Sequence, residues 1–226
     1  MPPPILFITA ALASLASSVA LASPPPLSPS LLLPLAPTPP RGWRSWNVYY
    51  GQLSQDWAVQ VVDALVARVL PVAPLDGPLS NLADMLPGGG GELVSMAELG
   101  YNRMGEDDMW QACASGINGS FHNASGFPIF AKSWPDVRNL TDYAHSLNVS
   151  VDWYANNDGC GEYGKVPAYY FQDALVHVTL NGVDGIKFDA GGPGRNMTQW
   201  ALTLNQTGKA VLVENANNQV RSRMAA

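Results

Sequence analysis

Charge is scarce in this chain. Asp, Glu, Lys and Arg make up 13% of its 226 residues, with 12 Lys and Arg against 18 Asp and Glu, for a net charge of −6. Phosphate binding needs clustered cations, so nucleic acid is excluded as a partner. Histidine is limited to His122, His145 and His177, too scattered for a metal site and expected on the surface or on helices. Cysteine is limited to Cys113 and Cys160, which would be free to pair in an oxidising compartment. No G-x-G-x-x-G follows the first expected strand, which argues against a dinucleotide site. No G-K-[ST] follows the Gly88 to Gly91 run, so that run is not a phosphate loop. Beyond residue 22 no stretch is long and apolar enough to suggest a membrane span.

Apolar residues are plentiful at 47%. The first of them, "ILFITAALASLASSVALA", ends in Ala20-Leu21-Ala22, an A-x-A cleavage pattern, although no basic residues precede it. Residues 1–22 are read as a signal peptide, the rival reading being a membrane anchor. Six N-x-S/T sequons begin at Asn118, Asn123, Asn139, Asn148, Asn196 and Asn205 and agree with a secretory route. The expected destination is extracellular or a lysosome- or vacuole-like compartment. Residues 23–37 form a Pro-rich leader, and residues 70–94, full of Pro and Gly without a period, read as an insertion or loop.

Elsewhere the pattern alternates. Ser54 is placed to cap a helix to about Arg68, with Trp57, Val61, Val62, Leu65 and Val69 near one face. "LTDYAHSL", "PAYYFQDALVHVTL" (with Pro167 in its first turn) and "NMTQWALTLN" read as helices. "VSVDWYANN", "VDGIKFDA" and "AVLVENANN" read as strands. A β/α series of this kind predicts an α/β fold, a parallel sheet with helices outside.

Each expected strand stops in ligand-binding groups. These are Trp46-Asn47, Glu106-Asp107-Asp108, Tyr154 with Asn156-Asn157, Lys187 with Asp189, and Glu214-Asn215. In a (β/α) barrel such ends converge on the face that carries active sites, and parallel strands bring their ends together in a Rossmann-like sheet as well. Lys187 and Asp189 are two apart on a strand and therefore share a side. A lysine beside an aspartate favours the carboxylate, which suits a glycosidase nucleophile. Asp107 and Asp108 would accept hydrogen bonds from sugar hydroxyls, and Trp46, Trp110 and Tyr154 offer flat faces to a pyranose. The same Lys–Asp pair would also serve as a buried ion pair that only orders the sheet. The acids at neighbouring strand ends favour a site.

On these residues the chain resembles glycoside hydrolase family 27, the retaining α-galactosidases and α-N-acetylgalactosaminidases. "TPPRGWRSWN" resembles the family's "TPPMGWNSWN", "LGYNRMGEDDMW" its "LGYxYxxxDDCW", and "GVDGIKFDAGG" its "GxDxxKYDxC". "WPDVRNLTDYAHSLNVSVDWYANN" resembles the helix and strand that end in the active-site tyrosine. The resemblance implies a (β/α)8 TIM barrel starting at residue 38, of which the chain holds about five units. It also implies a double displacement with retention on an α-galactoside, and no cofactor. Asp189 would be the nucleophile, and Trp46, Asp107, Asp108, Tyr154 and Lys187 would line the sugar pocket. Either Glu214 or Asn217 would take the place that senses the C2 substituent. Met109 stands where the family has a cysteine, and Ala190-Gly191-Gly192 replaces another. Cys113 would then be the substitute partner of Cys160. The family's acid/base Asp follows its sixth strand. The sequence has no matching Asp after its fifth, so the chain as written is expected to be inactive or poorly stable alone.

Overall fold

The computed structural model describes residues 39–46, 48–71, 93–155, 160, 166–189 and 194–216. The signal peptide, the leader, most of the 70–94 stretch, Asn47, Asn156, Asn157 and Asn217 lie outside the described residues. Five strands form a parallel sheet: β1 (Trp43–Arg44), β4 (Arg103–Gly105), β5 (Ser150–Ala155), β6 (Gly185–Phe188) and β7 (Leu212–Asn215), side by side in that order. Four helices connect them: α1 (Gln55–Val66), α2 (Val137–Ser146), α3 (Tyr170–Ala174) and α4 (Met197–Gln206). Strand then helix then next strand in order is the arrangement that parallel pairing demands, since each return crossing needs a helix's length of chain.

Helix starts follow their capping residues. The Ser54 hydroxyl accepts from the Trp57 N–H, Asp136 caps α2 through the Asn139 N–H, and Asn196 caps α4 through the Gln199 N–H. In α1 the buried face is Gln55, Ala58, Val62 and Leu65, whereas Trp57 and Val69 are exposed. The expected apolar face was therefore shifted. Pro167 precedes the third helix instead of opening it, and that helix widens into a π-turn over Leu175–Leu180. The 70–94 stretch is not loop throughout: its ends pair as β2 (Leu70–Pro71) and β3 (Leu93–Val94), antiparallel.

Strand alternation sorts the sheet into two faces. Met104, Val151, Trp153, Ile186 and Phe188 enter the apolar core against the helices, joined by Ala58, Val62, Leu140, Ala144 and Trp200. The other face carries charge. Arg103 and Asp152 form a bidentate pair there, with Arg103 Nε to Asp152 Oδ2 at 2.9 Å. Gly185 lies opposite Asp152 in register, and a Cβ at Gly185 would come within 2.3 Å of Asp152 Oδ1. That contact explains the glycine opening "GIKF".

His177 lies on the helix that was expected to carry it, whereas His122 departs from expectation, being neither on a helix nor at the surface. His122 and His177 are buried, at 0% and 1% exposure, and only His145 lies at the surface. Neither buried ring had a periodic signal, since one sits in a loop and the other in the π-turn. His122 Nε2 meets Asp173 Oδ1 at 2.9 Å. His177 stands edge-on to Trp110, its Nδ1 without a hydrogen-bond partner. Burial, with a smaller contribution from the charge of His122, lowers the His177 pKa to about 3. An unfolded histidine titrates near 6.5, so stability is intact above that pH and is lost as the pH falls from there towards 3. The expected loss from this group alone is roughly 2.5 kcal/mol between pH 7 and about pH 4.5. Urea midpoints against pH for the wild type and His177→Phe check it. The variant should lose distinctly less on acidification, and parallel curves would rule the histidine out.

Candidate active site

The C-terminal ends of the parallel strands place the chemistry, because each strand delivers its last inward-facing residue to the same end of the sheet. From β6, Lys187 extends its ammonium to Asp107 Oδ2 at 2.7 Å and lies 3.5 Å from Asp189 Oδ2. One cation thus links two carboxylates from the ends of β4 and β6, the strands on either side of β5. Asp107 is 2% exposed at its side chain and Asp189 44%. The first is a fixed floor and the second a wall open to solvent.

The floor is built by short-range bonds. The Asp107 N–H donates to Ser45 Oγ at 2.9 Å, and the Asp108 N–H donates to Asp107 Oδ1 at 3.0 Å. Asp108 Oδ1 accepts from the Met109 N–H at 2.8 Å and from Gln111 Nε2 at 2.9 Å. The Lys187 ammonium lies 5.7 Å from the centre of the Tyr154 ring, and Trp46 is 39% exposed. Asp107, Asp108, Lys187, Asp189, Tyr154 and Trp46 therefore all lie at the ends of β1, β4, β5 and β6, as the sequence reading had them.

Two assignments need correction. Trp110 is no sugar platform. It is 1% exposed, packs on Phe121, Phe130 and Trp153, and donates from its indole to the Tyr154 carbonyl at 3.0 Å. It thereby holds up the strand end from beneath. Glu106 does not share the open site of its neighbours. It is 1% exposed, with Oε2 unpartnered. Burial pushes its carboxyl well above the usual carboxylate range, opposed by a bond to Ser45 and reinforced by the charge of Asp107. Glu214 is held by a residue that the sequence reading passed over, Arg44. The Arg44 guanidinium pairs with Glu214 Oε1, donates to the Glu106 carbonyl at 3.2 Å and lies 3.9 Å from Asp107 Oδ2. The signal was visible in "TPPRGWRSWN", where Arg44 stands at a position that is Asn in the family's "TPPMGWNSWN". Asn217, the other candidate for the C2-sensing place, lies outside the described residues.

Cys113 and Cys160 form a disulfide with a Cα separation of 5.2 Å. It ties the segment after β4 to the segment after β5, both on the rim of the site. Among the described residues no cluster of His, Cys, Asp or Glu is arranged to hold a metal.

Comparison with known proteins gives one direction throughout. No family model matches the chain. It is 26% identical over 161 residues to an α-galactosidase of Cyamopsis tetragonoloba, covering 69% of this chain and 31% of that protein. It is 24% identical over 208 residues to a probable α-galactosidase of Dictyostelium discoideum, covering 87% and 43%. In structure it matches α-galactosidase I from Mortierella vinacea with a TM-score of 0.56 at 22% identity, over 80% of this chain and 41% of that one. It matches the Saccharomyces cerevisiae α-galactosidase solved with raffinose with a TM-score of 0.54 at 18% identity, over 80% and 35%. The chain spans between 30% and 43% of the length of the curated relatives it matches. In sequence and in fold, this chain is similar to α-galactosidases.

Proposed function

We propose that this chain carries the sugar-binding, nucleophile-bearing part of a retaining glycoside hydrolase for terminal α-galactosyl residues, its five strands being the opening units of a (β/α)8 barrel. The observation that carries this reading is the Lys187 ammonium shared between Asp107 at 2.7 Å and Asp189 at 3.5 Å. It fixes one carboxylate on the floor and leaves the other open to attack an anomeric carbon. Asp189 acts as nucleophile, Asp107 and Asp108 receive sugar hydroxyls, and Trp46, Tyr154 and Lys187 shape the pocket. Either Glu214 or Asn217 takes the place that senses the C2 substituent, so α-N-acetylgalactosaminides are the rival substrates. A retaining mechanism needs a second carboxyl about 5–5.5 Å from the nucleophile to protonate the leaving oxygen. The sequons agree with secretion, since all six asparagines are exposed.

A second reading is favoured by one observation. Among the described residues, Asp107 is bound to Lys187, Glu214 to Arg44, and Asp108 to Met109 and Gln111. Asp189 is taken up as the nucleophile and the Glu106 carboxyl is shut away at 1% exposure, so none of these described carboxyls is placed to protonate a leaving group, and the chain would bind α-galactosides without turning them over. Substrate choice separates the two. Nitrophenolate leaves without a proton, whereas an alkoxide needs one, and loss of acid help costs about 10²–10⁴-fold. Expected is binding of methyl α-D-galactoside by calorimetry together with measurable hydrolysis of p-nitrophenyl α-D-galactopyranoside. Binding without any nitrophenol release establishes the second reading. No binding of either sugar, with the β-anomers as controls, defeats both.

A further inference from the structure

A carboxyl lies in the packed interior directly behind the sugar floor. Glu106 follows Met104 by two residues, just past the end of β4, and the two residues are 1% and 0% exposed. Its N–H donates to the Asp152 carbonyl at 2.9 Å, so its main chain continues the pairing of β4 with β5. Its side chain bonds to Ser45, which is fully buried just past β1. The Ser45 hydroxyl also accepts the Asp107 N–H at 2.9 Å. Glu106, Ser45 and Asp107 therefore form one line of bonds from the interior to the pocket floor. The other carboxyl oxygen, Glu106 Oε2, has no hydrogen-bond partner.

A carboxylate is out of place there. Buried charge is tolerated when it is paired and hydrogen-bonded, and the bond Glu106 makes is to a neutral hydroxyl. The charged groups that face it are Asp107 and Asp108 on its own segment, which repel a negative charge, and Arg44 from β1, which attracts one. The Arg44 guanidinium is engaged elsewhere, pairing with Glu214 and donating to the Glu106 carbonyl at 3.2 Å. From β5 the bonded group is the Asp152 carbonyl, and the Asp152 carboxylate is taken by Arg103. With a proton on Oε2, the acid is neutral. The Ser45 hydroxyl then donates to Oε1 and keeps a lone pair for the Asp107 N–H. A second negative charge behind Asp107 would repel the Asp107 carboxylate in a low-dielectric setting and draw water into the packed layer.

We propose that Glu106 is a positioning residue for the sugar pocket: as a neutral acid it holds Asp107 in place through Ser45, and its ionisation at alkaline pH releases Asp107 and weakens sugar binding. The proposal rests on the reading of the pocket as an α-galactosyl site. The test is calorimetric binding of methyl α-D-galactoside to the full chain between about pH 5.5 and about pH 9.5, a range in which the sugar has no titrating group. When one protonation state binds, apparent affinity follows that state's share of the population, so the wild type should lose about tenfold across the range. Glu106→Gln, a permanently neutral isostere, should bind as the wild type does at acidic pH and stay level as the pH rises. Any other group that titrates does so in both chains, so the difference between the two profiles belongs to Glu106. Ser45→Ala, which breaks the line of bonds, should weaken binding at acidic pH. A level wild-type profile, a Glu106→Gln profile that falls with the wild type's, or undiminished binding by Ser45→Ala overturns the proposal. So does a Glu106→Gln chain that melts at the wild-type temperature yet binds no sugar. Carbon spectra of the wild type, labelled at its glutamate and aspartate carboxyls, give a reading that needs neither sugar nor variant. One glutamate carboxyl should remain protonated at pH 7, and an aspartate signal should move as it ionises. If every glutamate is already ionised at pH 7, the proposal is overturned. If methyl α-D-galactoside binds at no pH, the pocket reading falls, and two carbon signals that still titrate together keep the hold on Asp107 standing without it.

Discussion

Asp189→Asn should lower the release of nitrophenol from p-nitrophenyl α-D-galactopyranoside by about 10⁴-fold or more, because it removes the atom that forms the covalent bond. Losses of that order follow the deletion of a nucleophile that has no substitute. The fold should be indifferent to the change. The Asp189 side chain is 44% exposed and 3.5 Å from Lys187, and an exposed pair of this kind contributes at most about 1 kcal/mol. A domain of this size shifts by about 2–4 °C per kcal/mol, so the melting temperature should stay within that margin. Methyl α-D-galactoside should still bind, since Asp107 and Lys187 are untouched. Retained hydrolysis in the variant would remove Asp189 from the chemistry, and the Lys187 bridge would then be an ordering device for the sheet.

Cys113→Ala should have the largest effect on stability. The bond closes a 47-residue separation, and constraint of the unfolded chain over such a loop is worth about 4 kcal/mol. At about 2–4 °C per kcal/mol the melting temperature should drop by about 8–16 °C. Cys113 is exposed, so little packing is lost with it. Cys160 packs against the core, and Cys160→Ala should cost somewhat more. The double variant should resemble Cys160→Ala alone, because either change already opens the bond. Urea unfolding of the three variants, and of the wild type with and without reductant, checks the set. Additive losses would show that the sulfurs act through packing.

The sheet and the acid cluster were legible because both rest on local rules. Period-two alternation puts Lys187 and Asp189 on one side, Ser54 and Asn196 announce helix starts, and parallel strands collect their ends. Asp107 joins Lys187 for the same reason, as the residue that extends β4, on the far side of β5 from Lys187. Arg44 itself stood out as a departure from the family motif, but its pairing was not legible, since its partner Glu214 is 170 residues away and the contact depends on how far the sheet curls. Trp110 and Glu106 looked like site residues because they flank Asp107 and Asp108. The alternation that exposes one residue buries the next, and past the end of β4 its phase could not be read. His122 was misplaced because a loop carries no regular period. The pairing of Leu70–Pro71 with Leu93–Val94 was hidden by the Pro- and Gly-rich composition between them.

Arg44 lies on one edge strand of the parallel sheet and Glu214 on the other, yet their side chains join. The pair is a tie-rod drawn between the two margins of a curled ribbon. Beneath it the ribbon's hollow side carries the pair of Arg103 with Asp152, while the helices pack their apolar faces against the outer side. The curl of the ribbon is what brings its two margins within reach of one ion pair. Both pairs are at least partly shielded from solvent, so salt screens them much less than it would a surface pair, and the margins stay tied across a wide range of ionic conditions.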